Sequence, residues 1–274
     1  MEDSILKRIH KIQVEILDEI VRICEKYSLE YCLIGGTLLG AIRHKGFIPW
    51  DDDLDITMPR DSYEKFIRLC NSELNSKYLL DIYETNPDYW LPFAKVRKKN
   101  TAYVEKSRAH KKNIPHGIWV DIFPLDNVKH QNSILQFIQA KLVKGIKAYI
   151  TIKQGYAAAD DLKKLLFFNL LRFLSIKHAF AIQKKLMTLW NNQKTDYFVN
   201  LGSQYDYRKQ TMPKSKYFPA VKVEFEGKYY NAPREWDFIL RRIFGDYMQL
   251  PPEEERVNHK PVRIELGDEV IDCR

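Results

Sequence analysis

Apolar and polar positions along this chain follow two periods. Ile5, Ile9, Ile12, Ile16, Ile20 and Ile23 recur every three or four residues with charges between them, which predicts an amphipathic helix of about six turns. A strand is expected over 31–34, then a turn at Gly35-Gly36 and a short helix over 37–43. Lys45-Gly46 and Pro49 break that helix, and a second strand follows over 54–58. The next helix is expected over 62–69, with Asp61 or Ser62 as its N-cap. Further strands are expected over 79–83, 93–96, 101–104 and 118–123, and long helices over 131–152 and 161–192. The stretch "AVKVEFEGKYYNAP" returns to strand character around a hairpin turn at Glu226-Gly227, and a helix over 234–244 stops at Gly245. The fold class expected is α+β, with a small mixed sheet early, a helical middle, and a hairpin plus helix that packs back on the first part. The chain divides into a core over 1–126, a basic helical region over 127–220, and a segment over 221–274 that completes the core.

Composition narrows this picture. A chain of 274 residues with 45% hydrophobic and 29% charged positions is ordinary globular material. Cys24, Cys32, Cys70 and Cys273 form no CxxC pair and have no histidine at zinc spacing, so a reduced, cytosolic compartment is expected. Acidic residues interrupt the N-terminal segment, which does not read as a signal peptide, and no stretch approaches the roughly 20 apolar residues of a membrane span. The net charge of +8 is local: 129–185 holds eleven Lys/Arg against Asp160 and Asp161, or +9, leaving −1 elsewhere.

The candidate chemistry lies in "LIGGTLLGAIRHKGFIPWDDDLDITM", residues 33–58. On a strand, successive side chains face opposite ways, so Asp53 and Asp55 share one face while Leu54 and Ile56 enter the core. Two carboxylates on a rigid element suit Mg²⁺, which takes one or two carboxylates plus water and substrate phosphate. The alternative is a solvated acidic loop, which Trp50 and the apolar alternation through Met58 disfavour. Upstream, Gly35 and Gly36 let phosphate oxygens approach the backbone, and the N–H groups of Thr37 and Leu38 open a helix whose dipole favours anions. Asp121, in the apolar strand "HGIWVDIFPLD", is a third acid, either a site carboxylate or a buried partner of Arg or Lys. Asp126 reads as a turn or helix cap.

These residues closely resemble the LicD family of phosphotransferases. The resemblance rests on Gly35-Gly36-Thr37-Leu38-Leu39-Gly40, Arg43-His44, Pro49 through Asp55, Trp119 through Asp126, and the tail "FEGKYYNAPREWDFILRRIFGDYMQLPPEEERVNH". It covers about 15–126 and 221–260; the middle, 127–220, finds no residue-by-residue match. The resemblance implies a nucleotidyltransferase-like core. It also implies metal-dependent transfer of phosphocholine or a related phospho-substituent, such as an alditol phosphate, from a CDP-linked donor to a glycan hydroxyl. The acceptor would be a teichoic acid, lipopolysaccharide or capsule precursor, and CMP would be released. By the same resemblance Asp53, Asp55 and Asp121 are the catalytic carboxylates and ligands of Mg²⁺ (or Mn²⁺), and Gly35, Gly36 and Thr37 cradle the donor phosphates.

Arg43, Lys95 and Arg97 are candidate phosphate contacts, with ordinary surface cations as the alternative. His44, His116 and His259 are candidates for phosphate contact or proton transfer; His259 ranks first because the tail resemblance includes it. The stretch "LKKLLFFNLLRFLSIKHAFAIQKK" within 161–185 is apolar and basic, which suits either an anionic membrane surface, anchored by Phe167, Phe168, Phe173 and Phe180, or a core helix with a basic rim. The protein is thus expected in the cytoplasm, and at the inner face of the membrane where the first of these two readings holds. No nucleic-acid module is recognised. A conventional nucleotidyltransferase releasing pyrophosphate and a non-catalytic, membrane-associated scaffold are the rival readings.

Overall fold

A computed structural model describes residues 3–111, 114–129, 131, 133–256 and 258–273. The expected first helix is α1 (Asp3–Lys26), and its isoleucine stripe is the core face: Ile9, Ile16, Ile20 and Ile23 are fully buried. It is followed by β1 (Cys32–Leu33), α2 (Gly35–His44), β2 (Asp55–Pro59), α3 (Arg60–Glu73), β3 (Tyr78–Asp81), β4 (Ala94–Lys98), β5 (Thr101–Glu105) and β6 (Trp119–Val128). The middle of the chain supplies α4 (Ile134–Lys153), α5 (Leu162–Leu171), α6 (Ile176–Met187), β7 (Tyr197–Val199), the single turn α7 (Tyr207–Gln210) and β8 (Thr211–Pro213). The tail forms β9 (Val221–Phe225), β10 (Lys228–Ala232), α8 (Trp236–Phe244), β11 (Pro261–Leu266) and β12 (Glu269–Asp272).

Among the described residues, seven strands form one mixed sheet in the order β1-β2-β6-β4-β3, with β7 added to β6 and β8 to β7. Among the described residues only β2 and β6 run parallel, in a register that sets Asp55 beside Asp121. On the other side of β6, antiparallel β4 sets Lys95 beside Asp121. Three adjacent strands thus present Asp55, Asp121 and Lys95 in one row, at cross-strand spacing. The architecture is mixed α/β, with the expected hairpin at β9–β10 packing back on α2 and β1. Both turn residues have positive φ, Glu226 at 51° and Gly227 at 73°, as a tight twisted hairpin requires.

Several expectations are corrected. The helix expected over 161–192 is two helices, α5 and α6, bent by 111°, because Ser175 caps α6 through the His178 N–H. Among the described residues no single helix is long and apolar enough to cross a membrane. Helix α3 starts at Arg60 directly after Pro59 without a side-chain cap, so neither Asp61 nor Ser62 caps it; Asp61 lies in its first turn. Strand β6 runs on through Pro124. That proline falls between the β4 and β7 partners of β6, which end at Ile122 and begin at Asp126, so its missing N–H interrupts neither antiparallel ladder. The boundary at 126 therefore falls inside a strand, and the middle region adds β7 and β8 to the core sheet. Asp126 is no turn or cap: fully buried, it accepts two hydrogen bonds from Arg60 at 2.8 and 2.7 Å. The tail holds a hairpin that periodicity did not reveal, β11–β12, which extends β5.

Candidate active site

The glycine turn and the acidic stretch lie against each other. Gly35 has φ +58°, and a Cβ there would stand 3.2 Å from Asp55 Oδ2; a Cβ on Gly36 would stand 2.5 Å from Asp51 Oδ2. Only residues without a Cβ let the α2 backbone approach these carboxylates so closely. Thr37, buried, accepts the Asp55 N–H at its Oγ1 at 2.8 Å, fastening helix start to strand start; its hydroxyl is a positioning group. The Leu38 N–H is already bonded to the Ile34 carbonyl, so the first-turn N–H groups that precede the helical ladder belong to Gly35, Gly36 and Thr37. Ile34 provides no side-chain cap.

Helix α1 braces the acidic stretch from behind. His10 donates its Nε2–H to the Asp51 carbonyl at 2.7 Å, and the buried Gln13 amide donates to the Asp52 carbonyl at 2.9 Å. Asp52 turns inward, away from its neighbours. It accepts the Tyr103 hydroxyl, the His259 N–H at 3.0 Å and the His259 Nδ1–H at 2.7 Å. The hydrogen bond to Asp52, opposed by burial, pushes the His259 imidazole up to about 9, so it carries a proton at neutral pH. Its Nε2 lies 3.9 Å from Asp53 Oδ2.

Asp51, Asp53 and Asp55 face the opposite side. Burial pushes the Asp51 and Asp55 carboxyls well above the usual carboxylate range, and the like charge of Asp53 adds to the push. Burial also raises Asp53, against the pull of His259. The Asp51 and Asp53 carboxyls stand within hydrogen-bond reach of each other. Asp121 is ion-paired to Lys95 at 2.5 Å, and the Lys95 ammonium stands 4.4 Å from the Trp119 ring centroid.

Two cavities meet at these carboxylates, sharing Gly35, Asp53, Asp55, Gln204, Tyr205 and His259. The narrower, about 300 Å³, adds Lys95, Asp121 and an aromatic wall of Trp90, Phe93, Trp119 and Phe123. The wider, about 820 Å³, adds Gly36, Arg43, Trp50, Asp51 and Tyr247.

The expected site residues thus separate. Asp53, Asp55, Asp121, Gly35, Lys95 and His259 line one cavity, and Gly36 and Arg43 line its neighbour. Arg43 also holds the tail, donating to the Tyr247 carbonyl at 2.7 Å, and its Nε–H goes to His44. Arg97 is no phosphate contact: fully buried, its guanidinium donates to Asp81 at 2.5 Å and to the Gly117 carbonyl at 2.8 Å. His116 lies outside both cavities and bonds the Lys111 carbonyl at 2.8 Å. The sequence reading missed Asp51, which lies ahead of β2 and beside Gly36. It also missed the 200–205 loop, which carries no motif.

Whether the acids suit a divalent cation is decided by charge. Asp51, Asp53, Asp55 and Asp121 line the two joined cavities with Lys95 and His259 as the near cations, and hard carboxylate oxygens in deficit of positive charge are what Mg²⁺ or Mn²⁺ binds. Asp53 and Asp55 meet the one or two carboxylates that Mg²⁺ commonly takes. Among the described residues no three His, Cys, Asp or Glu side chains are already drawn together around one point; Lys95 holds Asp121 aside.

The fold and this site define a mixed α/β protein whose glycine turn and clustered carboxylates stand where two cavities join. A family model described as "LicD/FKTN/FKRP, nucleotidyltransferase domain" matches residues 28–144. The lipopolysaccharide cholinephosphotransferase LicD of Haemophilus influenzae is 31% identical over 266 residues, spanning 94% of this chain and 97% of that protein. Two uncharacterized proteins of Rickettsia prowazekii and Rickettsia typhi share 45% identity over 42 residues, 15% of this chain and 16% and 14% of theirs. The chain belongs to the LicD family.

Proposed function

We propose that this protein transfers phosphocholine from a CDP-linked donor to a hydroxyl of a cell-surface glycan, releasing CMP. Membership of the family gives the enzyme class, a transferase of phosphate-containing groups. The observation that carries the finer reading is the position of Asp53 and Asp55 at the junction of two unlike cavities. The aromatic cavity suits a quaternary ammonium group, which binds over ring faces. The wider one, with Arg43 and Trp50, suits the nucleotide.

In this reading Asp53 and Asp55 hold Mg²⁺ (or Mn²⁺), with Asp121 within the same row. The bound cation would neutralise charge on the donor diphosphate. The remaining work falls to the chain itself, chiefly positioning and electrostatics. First-turn N–H groups of Gly35, Gly36 and Thr37 orient the diphosphate, and the charged His259 faces it across Asp53. The acceptor oxygen attacks the choline-bearing phosphorus; a new O–P bond forms as the bond to the oxygen of CMP breaks. CMP leaves with the electron pair, and the hydroxyl proton passes to Asp121 Oδ, which Lys95 keeps in place. A CDP-linked donor puts this chemistry in the cytoplasm.

Contact with an anionic membrane at its inner face is part of the proposal. Leu162, Leu166 and Leu170 stand exposed along α5 and Phe173 just beyond its end, Phe173 at 86%, whereas Phe167, Phe168 and Phe180, expected as anchors, pack against a small core of α4 and α6. Leu170→Ser with Phe173→Ser is expected to abolish sedimentation with phosphatidylglycerol vesicles; unchanged sedimentation refutes the contact. The test of the function is the product formed from CDP-choline, Mg²⁺ and a lipopolysaccharide acceptor. CMP with choline on the glycan is expected. Pyrophosphate from CTP instead assigns a conventional nucleotidyltransferase, and no turnover with any donor assigns a scaffold.

A further inference from the structure

The excess positive charge of the middle region finds a place in a third cavity. A cleft of about 560 Å³ runs between α4 and the 200–208 loop, and its wall includes Lys141, Lys144, Lys147, Lys164 and Arg208. It shares Lys147, Asn200, Ser203, Gln204 and Tyr205 with the aromatic cavity beside the carboxylates, so it opens directly onto the proposed site. Lys164 is paired with Asp160 at 2.5 Å and Arg208 with Asp206 at 2.9 Å. The three α4 lysines differ. Among the described residues no carboxylate lies within ion-pair distance of Lys141, Lys144 or Lys147; Lys141 stands over the Phe137 ring, and Lys147 reaches only the Gly202 carbonyl at 3.4 Å.

The spacing of these lysines is regular. Positions 141, 144 and 147 follow one i, i+3 ridge of the helix, rising about 4.5 Å per step and about 9 Å overall. Lys141 and Lys144 are exposed and Lys147 is half-buried, so the row runs from solvent inward to the wall of the site. Burial, with the like charge of Lys144, lowers the Lys147 pKa. A stable fold gains nothing from aligning three cations that no carboxylate pairs.

We infer that this cleft is the acceptor channel and that it recognises a phosphate-bearing glycan, whose anionic groups pair with Lys141, Lys144 and Lys147 while its hydroxyl enters beside Asp121. The inference rests on the transferase reading above for the direction of the channel, but not for its chemistry. A membrane headgroup is the less favoured occupant, because the row leads into the protein rather than along its surface.

The test uses the lipid-free phosphorylated core oligosaccharide of a lipopolysaccharide and the same oligosaccharide dephosphorylated with hydrofluoric acid. Binding to the full chain is measured by calorimetry without donor, and turnover separately with CDP-choline. Lys141→Glu with Lys144→Glu is expected to weaken binding of the phosphorylated form at least tenfold. Its KM should rise alike, with kcat, the KM for CDP-choline, and affinity for the dephosphorylated form unchanged. Wild-type binding that ignores phosphate, or equal losses for both oligosaccharides, overturns the inference. So does a loss seen only with phosphatidylglycerol vesicles, which would assign the lysines to a membrane. Phosphate-dependent binding without CMP release would leave the channel standing and overturn the transferase reading instead.

Discussion

Gly36→Ala separates the site from the stability of the fold. The added Cβ would stand 2.5 Å from Asp51 Oδ2, so the carboxylate must withdraw by about 0.9 Å to reach ordinary contact at 3.4 Å. Asp51 is not free to do this alone, because its carbonyl is held by His10, its Oδ1 accepts the Asp52 N–H at 3.2 Å and its carboxyl stands against that of Asp53. The displacement therefore passes to Asp53. Against the steric cost, alanine is favoured over glycine within a helix by up to about 1 kcal/mol, and the backbone at 36 has no positive φ to forbid it. Melting is expected to shift by no more than about 4 °C. A misplacement of about 1 Å at a reacting centre costs about 100-fold in rate, or about 2.7 kcal/mol in the barrier. Gly35→Ala is the contrast: at φ +58° it adds about 1–2 kcal/mol of backbone strain, so both melting and activity should fall. Calorimetry and CMP release from CDP-choline read the two effects separately. A Gly36→Ala protein with wild-type turnover would refute the claim that this turn sets the carboxylate positions.

Arg60→Leu strands the buried Asp126 charge, whose remaining partner is the Asn191 amide at 2.7 Å, and is expected to cost about 3–5 kcal/mol in urea unfolding. Adding Asp126→Leu should restore most of it, and a single-variant loss under about 1 kcal/mol contradicts the pairing. Phe93→Leu with Phe123→Leu removes two ring faces from the narrow cavity. The KM for CDP-choline should rise about tenfold, in line with a cation–π contribution of 0.5 to about 2 kcal/mol. The KM for the uncharged tert-butyl analogue of the donor should not move, and an equal rise for both assigns the rings to packing alone.

Much of the site was readable because its logic is local. The alternation of Asp53 and Asp55 with Leu54 and Ile56, and the glycines before α2, each act within a few residues. The isoleucine stripe of α1 and the Glu226-Gly227 hairpin are legible for the same reason. What escaped depends on partners distant in sequence. Asp126 looks like a turn residue until Arg60, 66 positions away, is placed against it, and Arg97 looks like a phosphate ligand until Asp81 is. Asp52 is indistinguishable from its neighbours without Tyr103 and His259. The break at Ser175 lay hidden inside a continuous apolar run that satisfies a single long helix equally well. The loop over 200–205 contributes to three cavities through its backbone path, which no residue pattern announces.

The central claim is that Asp53 and Asp55 hold a divalent cation against the donor diphosphate. Electron paramagnetic resonance of Mn²⁺ titrated into the protein with CDP-choline tests it most directly. Saturable Mn²⁺ binding that tightens with donor is expected for the wild type and should vanish in Asp53→Asn with Asp55→Asn, while the fold persists by circular dichroism. Equal Mn²⁺ binding by wild type and variant, or binding indifferent to CDP-choline, would contradict the account.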